Sequence, residues 1–178
     1  MGGVHVLAFD IVPAAFSRAV SIYPAIKAAV PAASLLIVGG EQAPAHIAGD
    51  AVFFQDGVTV LEHRDDISAL LSASALTLNP LTGIRGSSIK VIESLAAGRA
   101  CVSTEDGARG FIDAEFASLL TTSNVADMAG VVIELLRNEE RRHRIEVPDP
   151  ARLADYRWDR SAERQGALYR ALLELDGK

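Results

Sequence analysis

The chain has 178 residues, of which 49% are hydrophobic and 6% aromatic, and its formal net charge is −6 at pH 7. This length suggests one domain with enough material for a real core. The acidic balance argues against a nucleic-acid-binding surface. No apolar run reaches the ~18 residues that a membrane-spanning helix needs.

The chain contains one cysteine, Cys101. It can form no intramolecular disulfide, which fits a reducing compartment. The first residues, MGGVHVLAF, lack the basic stretch and apolar run of a signal peptide. We therefore expect a cytoplasmic protein.

Short apolar runs alternate with amphipathic stretches along the chain. The predicted strands cover 4–8, 34–38, 58–61, 75–79, 101–103 and 117–120. Helical spacing predicts helices over about 16–30, from 67, from Ser87 or Ser88, over 125–136 and over about 157–175. Pro24 predicts a kink in the first helix or two consecutive helices. The segment 41–50 is predicted as a turn, 137–144 as a solvated helical face and 147–150 as a break.

Strands that alternate with helices imply a parallel sheet with right-handed crossovers. We therefore predict an α/β fold with a Rossmann-like parallel sheet of about six strands, covered by helices on both faces. Residues 1–178 are predicted to form a single domain.

The stretch from Pro80 to Gly110 joins a strand, a glycine-punctuated loop, a helix and a second strand. A loop that leads onto a helix N-terminus attracts anions, because free N–H groups and the helix dipole point towards it. Gly86 allows close approach of a ligand, and Ser87 is a candidate N-cap. The stretch predicts an anion site.

The spacing of the helix predicts that Ile89, Ile92 and Ala96 form its buried stripe. Gly86, Lys90 and Glu93 would then share the neighbouring stripe. One cation, one carboxylate and several amides suit a phosphate joined to a sugar, with Lys90 near phosphate and Glu93 accepting from hydroxyls. An exposed ion pair between Lys90 and Glu93 explains the same spacing.

Other chemistries find little support in the sequence. The GxGxxG dinucleotide fingerprint and the GxxxxGK[ST] phosphate loop are absent. The four histidines show no metal-ligand spacing. Cys101 lies within a predicted strand and is expected to be an inert core thiol. We predict no metal site and no cofactor, and we identify no catalytic residue.

Several segments of the sequence resemble a known family. The run GIRGSSIKVIESLAAGRACVSTEDGARGF resembles the donor-binding region of the group 1 (family 4) glycosyltransferases of the GT-B fold. Further segments resemble the same family in the same order: PAIKAAVPAASLLIVGG, EHRDDISALLSASALTLNPL, NVADMAGVVIELLRNEERRHRI and YRWDRSAERQGALYRALL. The resemblance covers roughly Val4 to Leu173.

The resemblance implies that Lys90 lies near the donor pyrophosphate and that Glu93 binds the ribose. It places Ser87 and Ser88, beside Gly86, where backbone amides contact phosphate. His63 and Arg64 fall in the loop that often lies beside the base.

Two positions depart from the family pattern. Arg85 stands where many members carry an acidic residue that contacts the donor sugar, so Arg85 is a candidate sugar contact. The loop after the first strand lacks the usual glycine and basic pair.

The resemblance further implies the C-terminal, donor-binding half of a two-domain, retaining hexosyltransferase that uses a nucleotide diphosphate sugar, UDP- or GDP-linked, in glycan or cell-surface polysaccharide synthesis. The N-terminal acceptor domain is absent here and is the expected partner, so the chain alone is expected to be inactive. A peripheral membrane association through that half is left open. Two alternatives remain: half of a sugar-nucleotide epimerase and a non-catalytic Rossmann-like binding module.

Overall fold

The computed structural model of the chain describes residues 4–9, 13–83, 88–112 and 115–176. The chain divides into two compact units, Met1–Pro148 and Asp149–Lys178. The first unit holds the sheet, and the second holds two helices.

The strands are β1 (Val4–Phe9), β2 (Ala33–Val38), β3 (Val58–Leu61), β4 (Leu76–Asn79), β5 (Cys101–Thr104) and β6 (Leu119–Thr122). The helices of the first unit are α1 (Pro13–Ala29), α2 (Ala43–Ile47), α3 (Ile67–Ala73), α4 (Ile89–Ala96), α5 (Val125–Arg137) and α6 (Glu139–Ile145), and Ala51–Phe54 form a 3-10 turn. The second unit contains α7 (Pro150–Ala154) and α8 (Trp158–Asp176).

The six strands form one sheet in the order β3-β2-β1-β4-β5-β6, and all neighbouring pairs are parallel. Val6 of β1 is in register with Leu35 of β2 on one side and Leu76 of β4 on the other. The strand order therefore reverses at β1, and sheets of this kind bind ligands at the carboxyl ends of the strands beside such a reversal. The predicted α/β fold with about six parallel strands is confirmed.

The main core lies on the face of the sheet that α1 and α5 cover. Tyr23 and Ile26 of α1 and Val132 and Leu135 of α5 are at most 1% exposed and belong to one cluster with alternate residues of the strands. Burying an aliphatic side chain of this size contributes ~1.5–3 kcal/mol. The opposite face, towards β3, is thinner, because its cluster has only Leu7, Val38 and Leu71 as fully buried members among the described residues.

A buried polar layer lies between α4 and the strands β4 and β5. Thr77 and Asn79 of β4 are in register with Cys101 and Ser103 of β5, and all four are at most 4% exposed. Their neighbours Leu76, Leu78, Ala100 and Val102 belong to the core cluster on the α1 and α5 side. Because strand side chains alternate between faces, the polar residues face the other way.

The residues that α4 buries against this polar layer differ from the predicted ones. Val91, Ser94 and Leu95 form its buried face, whereas Ile89 is 51% exposed, Ala96 is exposed and Ile92 is half-buried. Ser94 can be buried because its hydroxyl donates to the Lys90 carbonyl oxygen at 2.8 Å. The predicted stripe of Ile89, Ile92 and Ala96 was therefore wrong.

Several other elements differ from the predictions. One continuous helix runs through Pro24, so the alternative prediction of two consecutive helices was wrong. The helices α2 and α7 replace a predicted turn and a predicted break. Within the charged run, Arg142 is 6% exposed and donates to the Leu135 carbonyl oxygen at 3.1 Å, so α6 is more than a solvated face.

The reactivity of Cys101 tests whether the strand β5 is buried. Desolvation raises the pKa of its thiol to about 11, so about one thiol in a thousand is ionised at pH 8. We expect a disulfide reagent at pH 8 to label the native protein at least about a hundredfold more slowly than the protein in denaturant. Labelling of the native protein at the rate of a free thiol would contradict a buried β5.

Candidate functional site

Two loops meet at the carboxyl ends of β4 and β5. The loop 80–83 follows β4, and the loop 105–110 follows β5. The Gly83 amide donates to Asp106 Oδ2 at 2.7 Å, and the Thr104 hydroxyl donates to the Leu81 carbonyl oxygen. Side chains of the second loop and its strand therefore hold the first loop, which leads towards α4.

Asn79 joins three parts of this edge. Its Nδ2 atom lies 3.0 Å from Ser103 Oγ, 3.0 Å from the Gly107 carbonyl oxygen and 3.5 Å from Ser88 Oγ. Gly107 fits only without a side chain, because a Cβ there would lie 2.7 Å from Ser103 Oγ and 2.8 Å from Asn79 Nδ2. The end of β5, the following loop and the start of α4 are thus fixed to one strand.

The structure places Ser88, Lys90 and Glu93 along the first turns of α4. Ser88 is the N-cap residue, but its side chain makes no capping bond; its Oγ accepts from Asn79 instead. Lys90 is half-buried, and its charge acts on the carboxylate of Glu93. Glu93 lies about 7.5 Å along the helix axis from Ser88.

Glu93 lines a cavity of about 350 Å³ between α3 and α4. The remaining lining residues are Ile67, Ser68, Leu71, Ser72, Ala96 and Ala97. The cavity thus offers one carboxylate and two serines among small and apolar groups. Sugar hydroxyls can donate to such a carboxylate.

Partial burial at this wall raises the pKa of Glu93, and the charge of Lys90 opposes that rise. The residue is nevertheless exposed to solvent at the rim of the cavity. A carboxylate that is only partly desolvated remains an acceptor for hydroxyl groups at neutral pH. Its raised pKa shows that its surroundings differ from water, as is common at binding sites.

His63 and Arg64 lie in the exposed loop between β3 and α3. Arg64 makes two bonds to Asp66, from Nε at 2.8 Å and from Nη2 at 2.7 Å, and His63 Nε2 lies 3.3 Å from Asp65 Oδ1. Asp66 is the N-cap residue of α3, but its carboxylate binds Arg64 rather than the helix. This pairing raises the pKa of Arg64 and lowers that of Asp66.

Three of the predicted site residues, Arg85, Gly86 and Ser87, lie outside the described residues. Their predicted ligand contacts stay predictions, but the prediction of Ser87 as the N-cap residue was wrong, because that residue is Ser88. Of the predicted donor-binding residues, the structure describes Ser88, Lys90 and Glu93.

The sequence reasoning did not single out Ser68, Ser72, Asn79 or Asp106. Ser68 and Ser72 are one turn apart on α3, which was a usable signal once a ligand between α3 and α4 was considered. Asn79 carries a side-chain amide at the end of β4, which is also a usable signal. The contact of Asp106 with Gly83 joins residues 23 positions apart, and no local pattern marks it.

A second cavity, of about 310 Å³, lies at the amino ends of β1, β2 and β3. Leu36, Leu70 and Ala73 form much of its wall, and His5 Nδ1 lies 2.6 Å from Ser34 Oγ at its edge. Ligands of parallel α/β sheets bind at the carboxyl ends of the strands. The position of this second cavity at the amino ends therefore argues against a ligand site there.

Within the described ranges, no group of three or more His, Cys, Asp and Glu side chains is arranged to hold a metal ion. Among the same residues, none of the helices combines the length and the apolar character that crossing a membrane requires.

The strand order, with its reversal at β1, defines a doubly wound α/β domain whose polar site follows β4 and β5. The family model of the glycosyl transferases group 1 matches residues 12–138, well over half of the chain. The chain belongs to this family, as its resemblance predicted. No curated protein sequence matches it.

Solved structures share the fold at low sequence identity. HepE of Anabaena, in complex with UDP and glucose, is 16% identical with a TM-score of 0.71, covering 96% of this chain and 48% of that one. Sucrose-phosphate synthase from Thermosynechococcus elongatus is 19% identical with a TM-score of 0.75, covering 97% and 46%. A glycosyltransferase from Rickettsia africae ESF-5 is 13% identical with a TM-score of 0.76, covering 97% and 48%. The chain thus spans about half the length of these proteins.

Replacing Glu93 with Gln tests the environment of its carboxylate. Partial burial holds the folded-state pKa of Glu93 above the usual glutamate value of 4.5, so ionisation opposes folding at neutral pH. We expect Glu93→Gln to raise the unfolding temperature by about 1–2 °C at pH 7. As the pH falls through the folded-state pKa towards 4.5, the wild-type protein loses this penalty, and the difference should disappear.

Thermal unfolding between pH 7 and pH 4 measures this effect. Glu105→Gln, which removes an exposed carboxylate from the loop after β5, is the control for the loss of one surface charge. A stability difference that grows as the pH falls would contradict the assignment.

Proposed function

We propose that this chain is the donor-binding half of a glycosyltransferase and that it binds a nucleotide diphosphate sugar along α4. The observation that carries the proposal is the position of Glu93 in the cavity between α3 and α4, one to two turns from the start of the helix. Family membership adds the reaction class.

Each part of a nucleotide diphosphate finds a chemically suited group in this proposal. The helix start at Ser88 and the cation of Lys90 favour the pyrophosphate, because helix N-termini and ammonium groups both stabilise anions. Glu93, further along the helix, accepts from ribose hydroxyls. The loop residues His63 and Arg64 lie at the entry to α3 and are proposed to border the base. Gly86, Ser87 and Arg85 complete the proposed set, the last as a contact of the donor sugar.

A UDP-sugar is the first donor to test, since HepE, which shares the fold, is a complex with UDP and glucose. A GDP-sugar is the second. No cofactor or metal is part of the proposal. Leaving-group charge would be stabilised by helix amides and basic groups, with retention of the anomeric configuration.

The proposed reaction also needs a second domain. The chain covers about half of each similar structure, and the acceptor would bind to an N-terminal domain that these residues do not include. We propose that a hexose is transferred to a glycan or cell-surface polysaccharide by the two halves together in the cytoplasm. The present chain alone is proposed to bind the donor without transferring sugar.

Calorimetric titration of the full 178-residue chain with UDP, GDP and ADP tests the proposal. We expect saturable binding of one nucleotide. Glu93→Ala should weaken it about tenfold or more, because a hydrogen bond to a charged group is lost. Lys90→Ala should also weaken it, and added salt should reduce the effect of this variant.

Glu140→Ala and Arg144→Ala are matched controls, because they remove the same two charges from an exposed ion pair of α6. Both should leave nucleotide affinity unchanged. Absence of binding at millimolar concentrations by the folded wild-type chain would contradict the donor-binding proposal and favour a non-catalytic module. Sugar transfer by this chain alone would contradict the need for a second domain.

A further inference from the structure

The loops after β4 and β5 are joined by two side chains of the second loop region. The Thr104 hydroxyl donates to the Leu81 carbonyl oxygen, and Asp106 Oδ2 accepts from the Gly83 amide at 2.7 Å. We call these two bonds the loop clasp. Both bonds end on the backbone of the loop 80–83, so they constrain the path of the main chain itself.

The two halves of the loop clasp differ in environment. Thr104 is 2% exposed, and its Oγ atom also accepts from the Gly107 amide at 2.9 Å. Asp106 is exposed, and its bond to Gly83 is the outer one. Removing Thr104 would remove two buried hydrogen bonds, whereas removing Asp106 alters the loop from the solvent side. Asp106 can therefore be tested without unfolding the sheet.

The loop clasp holds one end of the connection to α4, and Asn79 holds the other. Gly83 has a φ of +66°, a conformation that glycine adopts without strain. Ser88, the N-cap residue of α4, contacts Asn79 at 3.5 Å. The chain thus leaves the first loop at a point that Asp106 fixes and enters α4 at a point that Asn79 fixes. The start of α4 is where the proposed pyrophosphate binds.

We propose that Asp106 is a positioning residue for this phosphate end, acting through its bond to the Gly83 amide. The inference rests on the proposed donor site and extends it to a residue that would not itself contact the donor. Its charge cannot be the useful property, because a carboxylate repels a neighbouring phosphate. Its useful property is the accepting oxygen, which an asparagine side chain also supplies.

The pair of variants Asp106→Asn and Asp106→Ala separates these two properties. Both remove the same negative charge, but only Asn keeps an acceptor for the Gly83 amide. We expect UDP to bind the Ala variant about threefold or more weakly than the Asn variant. We also follow the solvent exchange rate of the Gly83 amide by NMR in the absence of nucleotide. It should be about threefold to tenfold higher in the Ala variant than in the Asn variant, because the Ala variant loses one hydrogen bond.

Glu105→Gln is the matched control, because it neutralises the adjacent exposed carboxylate. It should leave the exchange of the Gly83 amide unchanged. Rescue of UDP affinity by Asn, relative to Ala, is a result that a general loss of stability would not produce, and thermal unfolding should show that all three variants remain folded.

Equal UDP affinity in the Asn and Ala variants would overturn the positioning role, even if the exchange rates differ. Tighter UDP binding by both variants, to the same extent, would also overturn it, because the carboxylate would then act only as a competing anion. Failure of the wild-type chain and of every variant to bind UDP, GDP or ADP would contradict the donor-binding proposal itself. The exchange of Gly83 reports on the loop clasp independently of that outcome.

Discussion

The side-chain amide of Asn79 lies at the end of β4, a strand that is buried along its whole length. The carboxyl edge of the sheet depends on hydrogen-bond partners for this amide. Two N–H groups meet Ser103 and Gly107 at 3.0 Å, with Ser88 at a longer 3.5 Å. A buried donor left without a partner costs ~1–3 kcal/mol, so the strand end, the following loop and the helix start hold one another in place. A hydrophobic residue here would remove that mutual requirement. The polar layer beneath α4 is thus the reason that the site has a defined geometry.

The same helix serves two opposing demands. Its inner face, with Ser94, packs on the polar side of β4 and β5, while its outer residues face the cavity that contains Glu93. A partly buried carboxylate opposes folding, as the raised pKa of Glu93 indicates. Function of the proposed kind requires that carboxylate as an acceptor for sugar hydroxyls. Binding sites commonly retain such locally unfavourable groups, because the ligand supplies their missing partners.

The sheet was predictable from the sequence because strands covered on both faces leave continuous apolar runs, such as Ser34–Val38. The proximity of Lys90 and Glu93 was predictable from helical spacing alone. The buried face of α4 was not, because Ser94 satisfies its own hydroxyl within the helix and so occupies a position that polarity rules assign to solvent. The bond between Asp106 and Gly83 depends on two loops that only the folded sheet brings together. Local sequence patterns thus predict secondary-structure elements and neighbours on one helix, but they do not predict contacts between separate loops.

The thin core beneath α3 has a consequence for motion. That helix has seven residues and anchors a cluster whose fully buried members are Leu7, Val38 and Leu71. Regions with few buried apolar contacts open at a lower free energy than the global transition, so α3 belongs to the low-stability end of the molecule, while α1 and α5 belong to the other end. Because α3 forms one wall of the cavity and α4 the other, the width of that cleft is set by its softer side. Adjustment to the proposed nucleotide would then fall to α3, against the wall that α4 forms on the polar layer.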